Sequence, residues 1–557
     1  MKQDLQDRLA TVAKKLFSLS EEAVIKVELT RPDEQFGDFA TNIALHLAKQ
    51  VGENPRQVAE KIATELRTEL ADTVTEVTIA GPGFINLRLS DSALAGLAKQ
   101  TINQQYAGQT VVTEYSDPNP FKVLHVGHLY TSIVGNAISN MFEAAGADVH
   151  RVNFGGDVGR HVAITMWAIL QELGGENPGK LQDIPETERS EWMAKAYVKG
   201  TQAFETDEAV KEIVTTLNKR VYQLVNDNDR ESDLAQIYWT CRQWSYDYFD
   251  AFYERVNTPF ERYYPESTVA TLGLQTVHEQ LAKGVFKESD GAIVFEGEPY
   301  GLHTRVFINS QGLPTYEAKD TGLIMQKWRD YNFDLSVVIT GNDITEYMKV
   351  VLKSIEQYEP ELVARSRHMT HGNVKLAGGV KMSSRKGNFL RAIEVLDIVA
   401  EAGEQPDDSI VLGAVKYAFL KQRIGPDIIF SPDESVSLEG NSGPYLQYAH
   451  ARARSILRKA GETEANLETG ELETDERTLL RKIGEYQEVI DKALADFMPH
   501  HICTYLYELA QTFNRFYENN LVVGDPRQVV RLGLVNAYAD TLKNGLELLG
   551  IVAPEQM

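Results

Sequence analysis

Apolar residues near the start of the chain recur every three or four positions, at Leu5, Leu9, Val12, Ala13 and Leu16. This spacing predicts an amphipathic helix. Residues 77–89 then form two alternating runs around a Gly-Pro-Gly sequence, which predicts a β-hairpin, and the apolar positions of residues 94–98 predict a further helix. We therefore expect residues 1–106 to fold as a small α+β domain.

The pattern changes at Thr110 to one that alternates between strand and helix. A strand is predicted at residues 110–115, a helix at residues 133–145 and a second strand at residues 149–152. A βαβ unit of this kind implies a parallel, Rossmann-like sheet, which we expect to occupy residues 107–402.

This sheet is predicted to be interrupted by a helical insertion. Residues 166–267 are charge-rich and mostly helical in pattern, and strand-like runs of the same sheet resume at residues 292–295 and 334–340. Residues 403–557 are helical in pattern almost throughout, apart from a polar, acidic loop at residues 461–476. The predicted fold class is therefore α/β in the centre, with an α+β domain before it and an all-α bundle after it.

Composition fits a large globular protein of several domains. The 557 residues exceed what one hydrophobic core accommodates, and the 43% of hydrophobic and 24% of charged residues are ordinary for such a protein. No apolar run is long enough for a membrane-spanning helix and no secretory leader is evident, so we expect a cytoplasmic location and no membrane partner.

Two further counts limit the kinds of site. The only cysteines are Cys241 and Cys503, which cannot supply a four-ligand zinc site, so we expect buried, reduced thiols and no protein-bound zinc. The net charge of −24 argues against nonspecific adhesion to nucleic acid. It leaves room for an RNA partner bound by a local basic surface.

The first candidate for chemistry is the histidine motif, His125-Val126-Gly127-His128. It follows two prolines and precedes a helical run, so it lies where a helix begins after a strand. Free backbone amides and the helix dipole attract phosphate there, glycine permits close approach, and imidazoles can donate to phosphate oxygens. Considered alone, the motif has an alternative, in which the two histidines simply cap the helix.

The second candidate is the lysine loop, residues 381–388, which reads Lys-Met-Ser-Ser-Arg-Lys-Gly-Asn. Glycines before and within this segment are typical of a loop rather than of a packed element. Its three cations suit a pyrophosphate that gains charge as it leaves. A solvated basic turn is the alternative for this segment alone.

Together, and in this order, the two motifs resemble the HIGH and KMSKS signatures of class I aminoacyl-tRNA synthetases. Residues 115–122 and 381–388 look most similar to arginyl-tRNA synthetases, and the resemblance extends over nearly the whole chain. It implies a Rossmann-like catalytic domain at residues 107–402, an α-helical anticodon-binding domain at residues 403–557, and an additional tRNA-contacting domain at residues 1–106.

The same resemblance implies an activity. An enzyme of this family ligates L-arginine to tRNA(Arg) through an arginyl-adenylate, using ATP with Mg²⁺ and releasing AMP and pyrophosphate. The expected partners are therefore L-arginine and tRNA(Arg), and the expected state is a monomer. The alternatives are a class I synthetase for cysteine or another amino acid and, from a different class of protein, a catalytically inactive tRNA-binding homologue.

The family's ATP-site positions can be carried over residue by residue. The resemblance assigns catalytic roles to His125, His128, Lys122, Lys381 and Lys386. It assigns ATP binding to His125, Gly127, His128, Met382, Ser383 and Ser384. The class usually carries Lys at the position of Ser384, and in arginyl enzymes a lysine just before the histidine motif is thought to compensate. Lys122 has that place, and its alternative is a plain surface residue.

A planar, permanently charged guanidinium is best held by carboxylates that pair with it at two points. The family positions that hold arginine correspond to Glu114, Asn119, Tyr316 and Asp320. Considered alone, each could be a strand-end cap or a turn residue. The family's usual glutamine is replaced by Ile344, where we expect Asp343 or Asn342 to substitute or the pocket to tolerate the loss.

Two further segments resemble regions that bind tRNA. Residues 440–454 interleave aromatic and basic side chains, which suits stacked bases and phosphates. The contacts expected within them are Tyr445, Gln447, Tyr448 and Arg452. Residues 36–42 resemble the part of the family's additional domain that touches the outer corner of tRNA, with Asp38 as the expected contact; otherwise they are a turn and a helix cap.

Overall fold

The computed structural model describes residues 1–20, 26–99, 101–377, 390–403, 407–461, 465–467 and 470–557. The N-terminal domain packs helices against an antiparallel sheet in which the strands lie in the order β1-β3-β2. Its elements are α1 (Lys2–Leu16), β1 (Phe39–Thr41), α2 (Ile43–Val51), α3 (Pro55–Glu69), β2 (Val74–Ala80), β3 (Phe84–Leu89) and α4 (Asp91–Ala98). The β2–β3 hairpin is the one predicted from the sequence, and the apolar stripe of α1 is buried as its spacing predicts.

The central domain is built on a parallel sheet with the strand order β11-β10-β4-β5-β6. Its first elements are β4 (Thr110–Glu114), α5 (Val126–Ala144), β5 (Asp148–Gly155), α6 (Arg160–Leu173), α7 (Arg189–Thr206), α8 (Glu208–Asn226), α9 (Asp233–Arg255), β6 (Arg262–Pro265) and α10 (Glu266–Ala282). Then follow β7 (Lys287–Ser289), β8 (Ala292–Phe295), β9 (Arg305–Ile308), α11 (Tyr316–Tyr331), β10 (Leu335–Gly341), α12 (Thr345–Glu356), α13 (Pro360–Ala364), β11 (Ser366–His371), β12 (Val374–Leu376) and α14 (Ala392–Ala402). All neighbouring pairs in the main sheet are parallel, which confirms the predicted Rossmann-like sheet.

Helices α6 to α9 form the predicted insertion between strands β5 and β6. Most of their apolar residues form a hydrophobic cluster of their own, while the last part of α9, from Phe249, packs into the larger core that includes α5. Side-chain caps from Asp207 and Ser232 fix where α8 and α9 begin. Helices α6 and α7 pack closely because α7 carries Gly200, where a Cβ would lie 2.3 Å from the carbonyl oxygen of Ile164.

One predicted strand of the main sheet lies elsewhere. Residues 292–295 form β8, but β8 pairs antiparallel with β7 and β9 in a separate small sheet. That sheet has its own apolar cluster, which includes Phe286, Phe295 and Phe307. The prediction that β8 continues the main sheet was wrong, because a short apolar run predicts a strand but not the strands with which it pairs.

The C-terminal part is helical, as predicted. It contains α15 (Asp408–Leu420), β13 (Ile428–Phe430), α16 (Pro432–Ser435), α17 (Gly443–Ala460), α18 (Thr474–Ile483), α19 (Tyr486–Asp496), α20 (His500–Asn519) and α21 (Gln528–Leu548). The short strand β13 pairs in parallel with β12 of the central domain. Beyond α21 the chain folds back, and the Lys416 ammonium donates to the carbonyl oxygen of Gly550 at 2.6 Å.

One apolar core joins the N-terminal domain, helix α5 and the C-terminal helices. It includes Leu94 from the first, Val134 and Ile138 from α5, and Leu542 from α21. Both cysteines are buried free thiols, as expected. Within the described ranges, no helix combines the length and apolar character needed to cross a bilayer.

Candidate active site

The topology of the main sheet indicates where a ligand would bind. Strand β4 lies between β5 and β10. The strands that follow β4 directly in sequence are added on one side of it, and the later strands β10 and β11 are added on the other side. In open α/β sheets, ligands bind at this switch point, in the crevice beyond the carboxyl ends of the strands. The histidine motif, Glu114 at the end of β4 and the turn after β10 all lie at this edge.

The histidine motif begins helix α5, and its two rings take part in the start of the helix. The Nδ1 atom of His125 accepts the backbone N–H of Gly127 at 3.0 Å, and the backbone N–H of His125 donates to Nδ1 of His128 at 3.1 Å. The two rings stack with 3.8 Å between their centroids. A Cβ at position 127 would lie 2.8 Å from the His125 ring, so any other residue would force that ring to shift.

Both imidazoles are neutral near pH 7. Burial, together with the nearby Lys122 ammonium, lowers the pKa of His125 to about 4. Burial and then the neighbouring His125 and Lys122 charges hold the pKa of His128 well below its usual value. Because each Nδ1 accepts a backbone N–H, each ring carries its hydrogen on Nε2. The motif therefore supplies two N–H donors at a helix N-terminus, which is where phosphates bind.

Lys122 and the two histidines line one cavity of about 480 Å³, together with Asn119. Helix α7 of the insertion also lines this cavity, and its Tyr197 ring lies 5.0 Å from the Lys122 ammonium. Lys122 is therefore not a plain surface residue. The structure brings it to the same space as His125 and His128.

The lysine loop, with the predicted residues Lys381, Met382, Ser383, Ser384 and Lys386, lies outside the described residues. The chain is described again from Leu390, whose carbonyl oxygen accepts the N–H of Val126 at 2.9 Å. The N–H of Ala392 donates to the carbonyl oxygen of Leu124 at 3.0 Å. The segment that directly follows the lysine loop in sequence is thus hydrogen-bonded to the histidine motif.

Buried carboxylates gather behind the end of β4. Glu114 is 3% exposed and forms an ion pair with the fully buried ammonium of Lys327. Asp320 is 8% exposed, and burial followed by the charges of Glu114 and Glu266 holds the pKa of Asp320 well above its usual value. Tyr316 begins α11 one turn before Asp320 and is 59% exposed. The two predicted residues therefore lie on the same side of the first turns of α11, Tyr316 at the surface and Asp320 in the interior.

Asn119 has a positioning role that its motif did not reveal. Its Oδ1 accepts the backbone N–H of Gly156 at 2.7 Å, which ties the loop after β4 to the loop after β5. A Cβ on Gly156 would lie 2.7 Å from that same oxygen, so the close approach requires glycine. Asn119 also lines the cavity of the histidine motif, so it is held in place beside His125 and His128.

Two charged residues of this site were missed by the sequence analysis. Lys327 lies on α11 seven residues after Asp320, on the same helix face, and resembles an ordinary surface lysine in the sequence. Asp117 follows Glu114 with a positive φ of 49° and accepts the N–H of Phe154 at 2.8 Å. Burial and then the charge of Glu114 hold the pKa of Asp117 well above its usual value. The only signal available was their spacing from Glu114 and Asp320.

Ile344, which replaces the family's usual glutamine, ends a 3-10 helix directly after β10. Its neighbour Asp343 acts on His125, because its negative charge opposes the lowering of the pKa of that ring. Asp343 thus lies on the histidine side of the site. The expectation that Asp343 or Asn342 replaces the glutamine stays a prediction.

The residues expected to touch tRNA divide into two groups. Tyr445, Tyr448 and Arg452 share one face of α17, and Tyr448 is 44% exposed. The Arg452 guanidinium lies 4.8 Å from the ring of Tyr517, and Asn514 donates to the Tyr445 hydroxyl at 2.9 Å. This face of α17 combines accessible aromatic and cationic groups.

Gln447 and Asp38 are placed differently, since both side chains are buried, and the prediction that they touch tRNA stays a prediction. Gln447 has no exposed surface, and its amide donates to the carbonyl oxygens of Ser409 and Val552 at 3.1 and 2.9 Å. Asp38 is 2% exposed, accepts the N–H of Leu89 at 2.8 Å and pairs with Arg477 at 2.6 Å. Both side chains join parts of the protein to each other.

Comparison with known families covers each part of the chain. The arginyl tRNA synthetase N-terminal domain matches residues 2–89, the catalytic domain of class I (R) tRNA synthetases matches residues 91–411, and the DALR anticodon binding domain matches residues 446–557. The catalytic-domain match alone spans more than half of the 557 residues.

Individual relatives match over nearly their whole length. The arginine–tRNA ligase of Synechococcus sp. is 32% identical, with 95% of each chain covered, and that of Thermobifida fusca is 32% identical with 94% of each covered. Among solved structures, Thermus thermophilus arginyl-tRNA synthetase superposes with a TM-score of 0.80 at 25% identity, with 100% of both chains covered. The fold, the histidine motif at its switch point and these matches agree that the chain belongs to the arginyl-tRNA synthetase family of class I aminoacyl-tRNA synthetases.

Proposed function

We propose that this protein ligates L-arginine to tRNA(Arg), using ATP to form an arginyl-adenylate and releasing AMP and pyrophosphate. The family, the neutral histidine pair at a helix N-terminus and the buried carboxylates behind β4 all support this reaction. The family and the histidine pair indicate a nucleotide substrate. The carboxylates determine which amino acid binds.

The observation that carries the proposal is a charge imbalance behind β4. Three carboxylates lie there, those of Glu114, Asp117 and Asp320, and Lys327 pairs with Glu114. Among the described residues, no Lys, Arg or His forms an ion pair with Asp117 or Asp320. Arginine brings two positive groups, its guanidinium and its α-ammonium. A buried carboxylate without a cation is costly, so the site favours a doubly cationic amino acid.

The chemistry needs positioning and charge rather than an enzyme nucleophile. An oxygen of the arginine carboxylate attacks the α-phosphorus of ATP, and the bond from that phosphorus to the β-bridging oxygen breaks. The Nε2–H groups of His125 and His128 and the Lys122 ammonium stabilise the charge that moves onto the pyrophosphate. A hydroxyl of the terminal tRNA ribose then displaces AMP from the arginyl carbonyl.

The lysine loop and the metal belong to the same proposal. Lys381 and Lys386 are assigned to the pyrophosphate, and Met382, Ser383 and Ser384 to ATP, on the strength of the family motif. In the part of the chain that the structure describes, no cluster of three or more His, Cys, Asp or Glu is arranged to hold a metal ion. Mg²⁺ would therefore enter with the ATP phosphates and water, a manner of binding that it prefers.

The remaining parts of the proposal concern tRNA and the state of the protein. We assign Tyr445, Tyr448 and Arg452 to the anticodon region, since their shared face on α17 offers rings for stacking and a cation for phosphate. We divide the chain at residues 1–106, 107–402 and 403–557, and propose a cytoplasmic monomer.

The test is charging of tRNA(Arg) by the full-length protein, with each labelled amino acid in turn and with and without ATP. We expect only arginine to be attached, and only with ATP. Attachment of another amino acid would refute the specificity, and attachment of none would indicate an inactive tRNA-binding homologue.

Substitution of Asp320 tests the carboxylate pocket. Asp320→Asn should raise the KM for arginine about 10- to 100-fold, as expected when a charged hydrogen bond is lost, with little change in the KM for ATP. Glu279→Gln, on the exposed face of α10, is the matched control. An unchanged KM for arginine would exclude Asp320 from the pocket.

A further inference from the structure

The cavity at the histidine motif has a wall that the catalytic core does not supply. Helix α7 of the insertion contributes Tyr197 and Lys199 to the lining that also includes Lys122 and His128. None of the motifs by which the family is recognised includes Tyr197. Its position therefore raises the question of what the ring does.

The ring of Tyr197 is the contact that holds the Lys122 ammonium. The ammonium lies 5.0 Å from the ring centroid, within the range of a cation–π interaction. Among the described residues, no carboxylate lies within ion-pairing distance of Lys122. A lysine side chain has four rotatable bonds, so without such a contact its charge would be spread over many positions.

An aromatic ring suits this task better than a carboxylate. A carboxylate would orient the ammonium but would also cancel its charge and compete with phosphate for it. A ring orients the ammonium and leaves its positive charge available to the pyrophosphate. The lysine loop lacks one cation of the class signature, at Ser384, so an undiminished charge on Lys122 matters more here.

Helix α7 is fixed firmly enough to place the ring. Gly200, three residues after Tyr197, packs against the backbone of Ile164 in α6. Near the start of α7, Glu191 forms an ion pair with Arg391, which directly follows Leu390, the residue bonded to the histidine motif. The helix is thus held on both sides of Tyr197, by α6 and by the segment next to the histidine motif.

We propose that Tyr197 is a positioning residue for Lys122, through which the helical insertion sets the rate of adenylate formation. This inference rests on the proposed function. It assigns the insertion a part in catalysis, since the ring reaches the pyrophosphate only through the Lys122 ammonium.

The experiment is a double-mutant cycle on the full-length protein, with pyrophosphate release measured in the presence of ATP, arginine and tRNA(Arg). Tyr197→Leu and Tyr197→Met both remove the ring, so the test survives if one of them fails to fold. Each should lower kcat about 3- to 30-fold, the range that a cation–π contact supports, with the KM for arginine unchanged. Tyr197→Phe keeps the ring and should restore most of kcat.

The Lys122→Met background separates positioning from a general structural effect. There the loss of the ring should cause no further decrease in kcat, because the group it positions is gone. Phe204→Leu is the matched control, since Phe204 is an α7 ring that lies 5.8 Å from a different cation, Arg160. It should leave kcat near the wild-type value in both backgrounds.

Three outcomes would overturn the inference. They are a kcat unaffected by loss of the ring, a decrease that persists in full in Lys122→Met, and a Tyr197→Phe variant as slow as Tyr197→Leu. A wild-type protein that fails to charge tRNA(Arg) with arginine would instead refute the proposed function.

Discussion

The two ring nitrogens of each histidine at the start of α5 have different roles. Nδ1 accepts a backbone N–H and so stabilises the first turn, while Nε2 keeps the hydrogen that a phosphate oxygen needs. A proton on Nδ1 of His125 would face the N–H of Gly127 and break the cap. The neutral form is therefore required for the helix start as well as for binding.

This arrangement predicts how activity and stability depend on pH. The folded-state pKa of His125, about 4, lies below its unfolded value of 6.5, so the unfolded chain takes up the proton first. The contribution of His125 to stability is complete above pH 6.5 and is lost as pH falls towards 4. We expect kcat/KM for ATP to show no midpoint near 6.5 from these rings.

Lys122→Met provides the check on this prediction. Removal of the positive charge raises the pKa of His125, since Lys122 lowers it, so the acidic limb of the profile should move to higher pH. The measurement is kcat/KM for ATP from pH 5 to 8. A wild-type midpoint at 6.5 that disappears in His125→Asn would contradict the neutral pair.

At the residue scale, the sequence shows which side chains can donate to a ligand more clearly than it shows which buried side chains pair with each other. His125, Gly127 and His128 are recognisable because their spacing at a helix start carries the chemistry. Lys327 was not recognisable, because its partner Glu114 is 213 positions away and only the fold brings the two together. A buried ion pair leaves no local pattern in the sequence.

Among the elements, α11 depends on close packing against α10. A Cβ on Gly273 of α10 would lie 2.0 Å from the carbonyl oxygen of Ala318, and one on Gly322 would lie 2.3 Å from that of Val269. The two helices therefore approach backbone to backbone. This approach sets the position of Asp320, which lies between Ala318 and Gly322.

Gly273→Ala should accordingly act on arginine binding from outside the pocket. In an ordinary helix this change stabilises, but here it must push α11 away, so we expect a loss of about 1–3 kcal/mol. The KM for arginine should rise at least about fivefold, in proportion to such a displacement. Thermal unfolding and charging kinetics measure the two effects.

Gly179→Ala is the control for this prediction, since a Cβ there would meet nothing within 4 Å. It should change neither quantity. If Gly273→Ala were as stable as the wild type and bound arginine equally well, the close approach of the two helices would not be what positions Asp320.

At the scale of elements, the local sequence pattern predicts the type of element but not always its partners. The helices of the insertion follow their apolar periodicity, and the βαβ unit was predicted in the correct order. Strand β8 was recognised as a strand but assigned to the wrong sheet, since pairing with β7 and β9 is decided by contacts that its own residues do not encode.

At the scale of the whole molecule, buried ion pairs fasten the N-terminal domain to the C-terminal helices. Arg477 of α18 reaches Asp38 at 2.6 Å and donates to the carbonyl oxygen of Leu89 at 3.0 Å. The same guanidinium pairs with Asp91 at the start of α4. The motif around Asp38 resembles a tRNA-binding segment, and the buried carboxylate of Asp38 also joins the N-terminal domain to α18.

Asp38→Ala should therefore loosen the docking of the N-terminal domain. Breaking a buried ion pair costs about 3–5 kcal/mol, because Arg477 is left without that partner. Hydrogen exchange in α4, which packs against α18, should accelerate, and the KM for tRNA should rise. Asp33→Ala, at an exposed position of the same segment, is the control.

The two measurements together distinguish docking from direct contact. If Asp38 contributed only a contact to tRNA, its loss would raise the KM for tRNA while exchange in α4 stayed as slow as in the wild type. That result would favour the tRNA contact that the motif predicts. The sequence could not decide between these roles, since Arg477 lies 439 positions away.

The shared core has a consequence for how this protein can be varied. Leu94, Val134 and Leu542 belong to one apolar cluster, so the first and last domains are packed into α5 as a single body. The insertion encloses a separate cluster around Val214 and Tyr238. The two clusters do not divide at the borders of the insertion, because Phe121 outside it joins its cluster and Phe249 of α9 joins the shared core. Chimeras that exchange all of α6 to α9 would therefore cut through both cores, and swapping either end of the chain would cut through one. Recombination, in the laboratory or in evolution, should accordingly be tolerated best where α9 changes parent before Phe249 and where Phe121 is exchanged together with the insertion.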